Sequence, residues 1–396
     1  MRLRRRATRG DASLLSLMFR AMSILTAAML LASTGCEKVP TFQELTQQGQ
    51  TTPAASTPAA KPAAEVVAQP AAVVQVAPEL ENPQKIIGDF KNTPAGLRND
   101  ADLARLAKVA VGSSELTIMD LNGSAVTDDG LKNLAKLPQI ESLSLVGTKV
   151  TDVGLTVTTQ LPELRSLNLG AFAVNASMMA TLSKLEKLEV LGLEGAKVTD
   201  NDLPPLENLA ELKELNLSAT PITDNAFKIL GRLKKLEILK VAYTSINGSG
   251  MQYMKRKKSE VGLRVLDAKK TRFGEQGLQY IKGVETLEEL DLGQAEVTDR
   301  TLFQNMKGVN HLKVLNLSFN ILTDNGTLPL GNIKSLEKLY LRNCQGIGDK
   351  TLGFLKSSKE LKILDVNGCS GVTDKSAQQL KKLLPNCEIQ YNGRTL

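Results

Sequence analysis

Few side chains in this 396-residue chain have the types and spacing that chemistry requires. There is one histidine, His311. A Ser–His–Asp or Cys–His centre needs a histidine base, and His311 directly precedes Leu312 in what reads as an exposed turn into a strand. Hydrolytic triads and zinc sites are therefore disfavoured. The chain has no Walker A motif and no G-x-G-x-x-G opening a helix after a strand. Asp267 and Asp291 form the best carboxylate pair. They take equivalent outward places in successive units, about 5 Å apart, near the spacing of a retaining glycosidase. Such a pair also needs a deep site and one raised pKa, whereas the pattern predicts an open sheet flanked by Lys240 and Lys269. A weak glycosidase stands only as an alternative, and the chain reads as a non-enzyme without cofactor or metal. A column of aspartates (Asp128, Asp152, Asp200, Asp224, Asp299, Asp324, Asp349 and Asp374) could form a cation ladder. Each follows a Thr, or in one unit Gly348, at the start of a helical half. There a Thr or Asp can accept the orphan N–H groups of the first turn, and an anion suits the helix dipole. Capping accounts for the column without a metal.

These residues are positioned by a unit that recurs to the end of the chain: L-x-x-L-x-L-x-x-[T/A/N/C]-x-[V/I]-T-D, then about ten residues with apolar positions three apart. The first apolar residue of each L-x-L core is Met119, Leu143, Leu167, Leu191, Leu215, Leu239, Leu266, Leu290, Leu315, Leu339, Leu364 and Ile389. The first five intervals are 24 residues and the later ones 27, 24, 25, 24, 25 and 25. A fixed period in this range with this spacing resembles the leucine-rich repeat. The two apolar residues of L-x-L point inward from a short strand and the x between them outward. Leu203, Leu206, Leu209 and Leu212 illustrate the second half, a helix or helix-like turn with its apolar side on the strands. Because the helix layer is wider than the strand layer, the stack bends. The expected fold is an α/β solenoid: a leucine-rich repeat horseshoe of about 12 repeats over 118–396, with a concave parallel β-sheet and convex helices. Residues 83–117 read as an N-terminal cap, since Asp102, Leu103, Leu106 and Val109 keep the helical spacing before an irregular connection.

A further column, Ser124, Thr148, Thr220, Thr244, Thr271, Asn320, Cys344 and Cys369, takes the place where the family usually has Asn. The resemblance implies a side-chain bond to the next repeat's backbone, made more weakly by Ser, Thr or Cys and not at all by Phe172, Ala196 or Ala295. The last units resemble the cysteine-containing repeats of F-box proteins, and the earlier ones the shorter bacterial version. Only the fold is carried over, not a ubiquitin-ligase role. Cys344 and Cys369 lie in neighbouring repeats and are read either as free buried thiols or as a disulfide. The one long interval places Lys255, Arg256, Lys257 and Lys258 in an inserted loop, read as solvated or as a contact for acidic groups.

The N-terminus is of another kind. After Arg20, AMSILTAAMLLASTGC is uncharged and too short for a membrane-spanning helix, but suits a secretory signal. Ala32-Ser33-Thr34-Gly35-Cys36 resembles a bacterial lipobox with Ser33 in place of the usual Leu. The resemblance implies cleavage before Cys36 and its lipidation, and several acyl chains give stable anchoring. Residues 1–35 are then a lipoprotein signal, with Met1 or Met18 as the start. Residues 36–82, rich in Pro and Ala, are a disordered tether from the lipidated Cys36. Six Arg against Asp11 give 1–35 a charge of +5 out of the chain's +7, leaving +2 elsewhere. A nucleic-acid footprint should lie on the folded domain, so none is expected.

Interface energy concentrates in Trp, Tyr and Arg. The outward positions gather such residues in the C-terminal third: Tyr340, Arg342 and Lys338 on one strand, Phe319 and Asp365 one repeat to either side, and Tyr243 apart. The whole resembles bacterial leucine-rich repeat lipoproteins. That implies a non-enzymatic protein-binding scaffold, membrane-anchored in the cell envelope, with its ligand on the concave face. The alternatives are an adhesin for host or matrix protein or glycan, and an intracellular adaptor.

Overall fold

The computed structural model describes residues 82–257 and 259–396. Cys36, the signal and all but the last residue of the tether lie outside them, as does Lys258. Twelve strands stack in parallel and in chain order: β1 (Ile118–Asp120), β2 (Ser142–Ser144), β3 (Ser166–Asn168), β4 (Val190–Gly192), β5 (Glu214–Asn216), β6 (Ile238–Lys240), β7 (Val265–Asp267), β8 (Glu289–Asp291), β9 (Val314–Asn316), β10 (Lys338–Tyr340), β11 (Ile363–Asp365) and β12 (Glu388–Tyr391). The register pairs Met119 with Leu143, Leu143 with Leu167, and so on without a slip to Leu364 with Ile389. Both apolar residues of the L-x-L cores are buried.

A thirteenth strand, β13 (Arg394–Thr395), pairs antiparallel with β12 and covers its edge. The repeat pattern did not predict it. Its signal is the dipeptide Asn392-Gly393, whose φ values of 48° and 73° build the primed turn that joins a two-residue hairpin. At the other end, helices Pro83–Asn92 and Asp100–Val109 close the core. Arg98 ties them down: its guanidinium stacks 4.2 Å over Phe90 and donates to the carbonyls of Phe90, Thr93 and Asp120.

The layer opposite the sheet is more irregular than a row of helices. It alternates α-helices, such as Asp299–Asn305 and Asp374–Leu383, with 3₁₀ turns such as Pro204–Asn208. The Pro204-Pro205 pair removes two N–H donors and suits only such a short turn. The insertion is partly structural. Arg256 donates to the Gly231 carbonyl at 2.7 Å and bridges to Val284, while Lys257 is exposed.

The Thr-Asp pairs do more than cap. The threonine is the N-cap, as where Thr151 accepts from the Val153 N–H at 3.2 Å. The aspartate instead reaches the following repeat. Asp128 accepts the Thr151 N–H at 2.7 Å and its hydroxyl at 2.6 Å. Asp200 does the same for Thr223, Asp299 for Thr323 and Asp349 for Thr373. Asp100 of the cap serves Thr127, so the cap presents the same carboxylate as a repeat. The residue three after the threonine must leave room for that carboxylate or bond it. A Cβ on Gly154 would sit 2.2 Å from Asp128 Oδ1, and one on Gly326 would sit 2.3 Å from Asp299 Oδ1. In the unit with Gly348 in place of the threonine, the Thr351 hydroxyl donates to Asp324 Oδ1 at 2.5 Å.

Two residues before the ten anchors from Leu143 to Leu364 runs a second ladder, alternating in sign: Glu141, Arg165, Glu189, Lys213, Glu237, Arg264, Glu288, Lys313, Glu337, Lys362. Glu189 takes Arg165 at 3.1 Å and Lys213 at 2.6 Å; Glu288 takes Arg264 at 2.9 Å and Lys313 at 3.1 Å. Burial alone would raise the Glu288 pKa, but the hydrogen bonds from Arg264 and Lys313 hold it below the ordinary value.

Gly326→Ala should lower stability by about 1–3 kcal/mol through overpacking against Asp299. Gly353→Ala has nothing within 4 Å of the new methyl and lies in the helix Asp349–Phe354, so it should stabilise by about 0.5–1 kcal/mol. Urea titration of both variants compares them. Separately, Glu288→Lys should cost about 1 kcal/mol, less in high salt. With the folded pKa of Glu288 below the unfolded one, its contribution is full above the ordinary Glu range near about 4.3. It is lost as pH falls through the lower folded value. The gap in stability between wild type and variant should therefore narrow as pH falls without closing, because the introduced ammonium still faces Arg264 and Lys313, and urea midpoints across pH would show this.

Candidate functional site

The last residue of each three-residue strand, the outward x of L-x-L, is half-buried or, at Ser144, Gly192 and Asp365, buried, because neighbouring rungs crowd it. On β8 to β11 these are Asp291, Asn316, Tyr340 and Asp365. With Lys269, Lys270, Gly293, Gln294, Ser318, Phe319 and Arg342 they line a cavity of about 590 Å³. Of the residues expected to bind, the structure brings Phe319, Tyr340, Arg342 and Asp365 together there. Lys338 sits half-buried on β10 and does not line the cavity. Tyr243 lies beyond it, linked through Lys270, whose ammonium stands 4.7 Å over the Tyr243 ring.

Asp365 has a supporting part. It is buried and receives Arg342 Nε at 3.0 Å and Nη2 at 2.8 Å on Oδ2, with the Asn367 N–H and side-chain amide on Oδ1. Its carboxylate fixes the guanidinium, which remains half-exposed toward the cavity. Tyr340 is half-buried, and burial followed by the Asp365 charge raises its phenol pKa.

The Asp267–Asp291 pair lies across β7 and β8 in register. Contrary to expectation, one pKa is shifted upward: burial, then the Asp267 charge, raises Asp291. The chemistry of a general acid still does not follow. Asp291 Oδ1 accepts the Gly293 N–H and the Asn316 amide, both at 2.9 Å, and Lys269 lies 3.5 Å from Asp267. Burial opposes the charge on Lys269, but Asp267 and Asp291 outweigh it and raise its pKa. Nothing among the described residues shows catalytic activity. His311 is half-buried rather than exposed, in a separate hollow with Glu237, Arg264 and Glu288.

One feature of the cavity wall was not read from the sequence. In each repeat the residue four after the anchor turns the chain, mostly with positive φ. Gly123, Gly147, Gly195 and Gly368 hold it in their repeats, but Ala219, Tyr243, Lys270, Gln294, Phe319 and Asn343 hold it in six consecutive ones, with φ of 54–62°. A side chain in this left-handed region costs on the order of 1 kcal/mol. Lys270, Gln294 and Phe319 of this column line the cavity.

The expected side-chain ladder runs the other way. Asn320 donates to the Leu292 carbonyl and accepts from the Ala295 and Val297 N–H groups, all in the preceding repeat. The threonines bond within their own repeat, as Thr244 does to the Val241 carbonyl at 2.6 Å. Cys344 and Cys369 are free thiols that reach back to the Leu317 and Leu341 carbonyls.

Comparison with known proteins agrees with this geometry. A family model described as a leucine-rich repeat matches residues 310–331. An internalin (inlF) from Listeria monocytogenes str. 4b F2365 superposes with a TM-score of 0.53 at 19% identity, covering 78% of this chain and 94% of that one. The fold is a leucine-rich repeat solenoid. The crystal structure of the yeast Rad7 and Elc1 complex matches with a TM-score of 0.51 at 19% identity, over 78% of this chain and 81% of the other. In sequence, the DNA repair protein rhp7 of Schizosaccharomyces pombe is 38% identical over 96 residues, or 22% of this chain. The solenoid spans only 17% of that relative's length, and at such identities the solved structures share the fold alone.

Burial pushes the Cys344 thiol up to about 11, Cys369 to about 12 and Cys387 to about 11. Since the thiolate is the nucleophile, iodoacetamide at pH 8 should leave all three unmodified in the folded protein and modify them in urea. Peptide mapping by mass spectrometry reads each site separately.

Proposed function

We propose that the protein is a non-enzymatic scaffold that binds another protein on the exposed face of its sheet, and that a lipid on Cys36 anchors it in the cell envelope. The observation that carries the binding reading is the convergence of Phe319, Tyr340 and a pre-oriented Arg342 in one cavity. Aromatic and arginine side chains dominate interface energies when fixed in a pocket, and here Asp365 has already immobilised the arginine. The solenoid fold fits this role, because its stacked strands present a long, rigid face. The anchor reading is supported by the Ala-Ser-Thr-Gly-Cys sequence ending at Cys36 and by the uncharged run before it. No helix among the described residues is long and apolar enough to cross a membrane.

Both halves are tested in one membrane preparation. A photo-crosslinking phenylalanine derivative placed at Tyr340 should give discrete protein adducts, while the same group at Lys228, exposed on the helix Phe227–Leu230, should give none. Equal labelling at the two places, or none at Tyr340, overturns the binding site. Intact mass should show loss of residues 1–35 and added acyl mass, both abolished by Cys36→Ala. A full-length, unacylated chain would overturn the anchor and favour an intracellular adaptor.

A further inference from the structure

Beside the binding face, at the ends of the strands, the left-handed column forms a ridge. Glycine would satisfy the backbone at every one of its positions, as it does in Gly147 and Gly368, yet the middle repeats carry Tyr243, Lys270, Gln294 and Phe319 instead. Behind the ridge lies a groove of about 850 Å³ that Lys270, Gln294 and Phe319 share with Arg272, Glu296 and Ile321. Two properties set it apart. Two of its apolar side chains are exposed, Phe319 to 54% and Ile321 to 89%. Its cations form no ion pair: among the described residues Lys240 pairs with Glu214, Lys269 with Asp267 and Arg342 with Asp365, whereas Lys270, whose ammonium lies over the Tyr243 ring, and Arg272 have no carboxylate partner. Glu296 is the one acid lining the groove, so its balance is positive.

The geometry of the ridge selects a ligand shape. It runs across the ends of paired strands, so a peptide lying along it finds no free strand edge and must be recognised through side chains. Lys270 and Phe319 stand two repeats apart, about 9.6 Å at a strand spacing of about 4.8 Å. An extended β-strand places same-side residues about 6.7 Å apart, which misses this distance. A polyproline II chain has three residues per turn and rises about 3.1 Å per residue, so positions i and i+3 lie on one side about 9.3 Å apart. Its backbone makes no internal hydrogen bonds, and the exposed Gln294 amide, between Lys270 and Phe319, has a donor and an acceptor to offer it.

We infer that this ridge docks a polyproline II segment of a partner protein, with an acidic side chain on Lys270 and an apolar one, three residues later, between Phe319 and Ile321. The inference rests on the protein-binding reading and specifies its ligand class.

Fluorescein-labelled proline-rich nonapeptides, titrated against the purified protein by anisotropy, test it. A peptide with Glu and Leu three positions apart should bind. Moving the two to a spacing of two, or replacing Glu by Gln, should weaken binding about tenfold. Lys270→Glu and Phe319→Ala should each weaken it similarly, while Glu296→Gln should leave it equal or tighter. Circular dichroism checks that the variants are folded. Equal affinity for both spacings, or an unchanged affinity in folded Lys270→Glu, overturns the inference. So does equal binding of dextran sulfate, which would make the ridge a general polyanion site. If no peptide binds while crosslinks at Tyr340 persist, the ridge assignment falls and the scaffold reading stands. Loss of both removes the scaffold reading as well.

Discussion

Three-residue strands have no stability of their own, and the whole molecule depends on each being held in register between two neighbours. Several interactions, all between adjacent repeats, enforce that register. The L-x-L side chains close the core. The aspartate of one repeat holds the threonine of the next, and the small or hydroxyl residue after that threonine accommodates the carboxylate. Glu and Arg or Lys alternate along the edge before the strands, so a slip by one repeat would set like charges against each other. Exposed ion pairs contribute little singly. Their value here lies in disfavouring the wrong neighbour, which a translationally repetitive core cannot do alone.

The same repetition makes the candidate site. A stack converts each position of the unit into a column, and a run of unlike residues in one column becomes a surface. The column of left-handed turns holds glycine near both ends and large side chains between Tyr243 and Phe319. The central column holds Tyr340 between Asn316 and Asp365. Where the two columns meet, aromatic, cationic and amide groups share one hollow. Asp365 shows how such a surface is sharpened, since a carboxylate withdrawn from solvent fixes an arginine that remains available.

Carboxylates on this face have divergent parts despite equivalent positions in the unit. Asp267 lies beside the Lys269 ammonium, Asp291 is held by a backbone N–H and an amide, and Asp365 serves Arg342. Spacing could equate the first two as a catalytic pair, but the neighbours of each carboxylate decide what it does. The upward shift at Asp291 reflects burial beside another acid, and its hydrogen bonds make it an acceptor.

Much of the architecture was legible in the chain. The anchors from Met119 to Ile389 are the residues that pair in register, because an apolar pattern with a fixed period leaves one way to bury every copy. The Thr-Asp pairs marked where the helical halves begin. The Asn392-Gly393 turn is a local signal as well, but it lies outside the repeat, whose period says nothing of it. Other features needed the fold. Whether Asn320 reaches forward or back depends on the offset between adjacent turns. The sign alternation from Glu141 to Lys362 acquires meaning only when residues 24–27 apart become neighbours. The patch of Phe319, Tyr340 and Arg342 could be nominated from residue type and position, while the ridge of Lys270 and Gln294 could not. Periodicity dictates which residues face the core. What lies beside an exposed residue is set by the rise, twist and turn of the stack, and only the tertiary structure decides those.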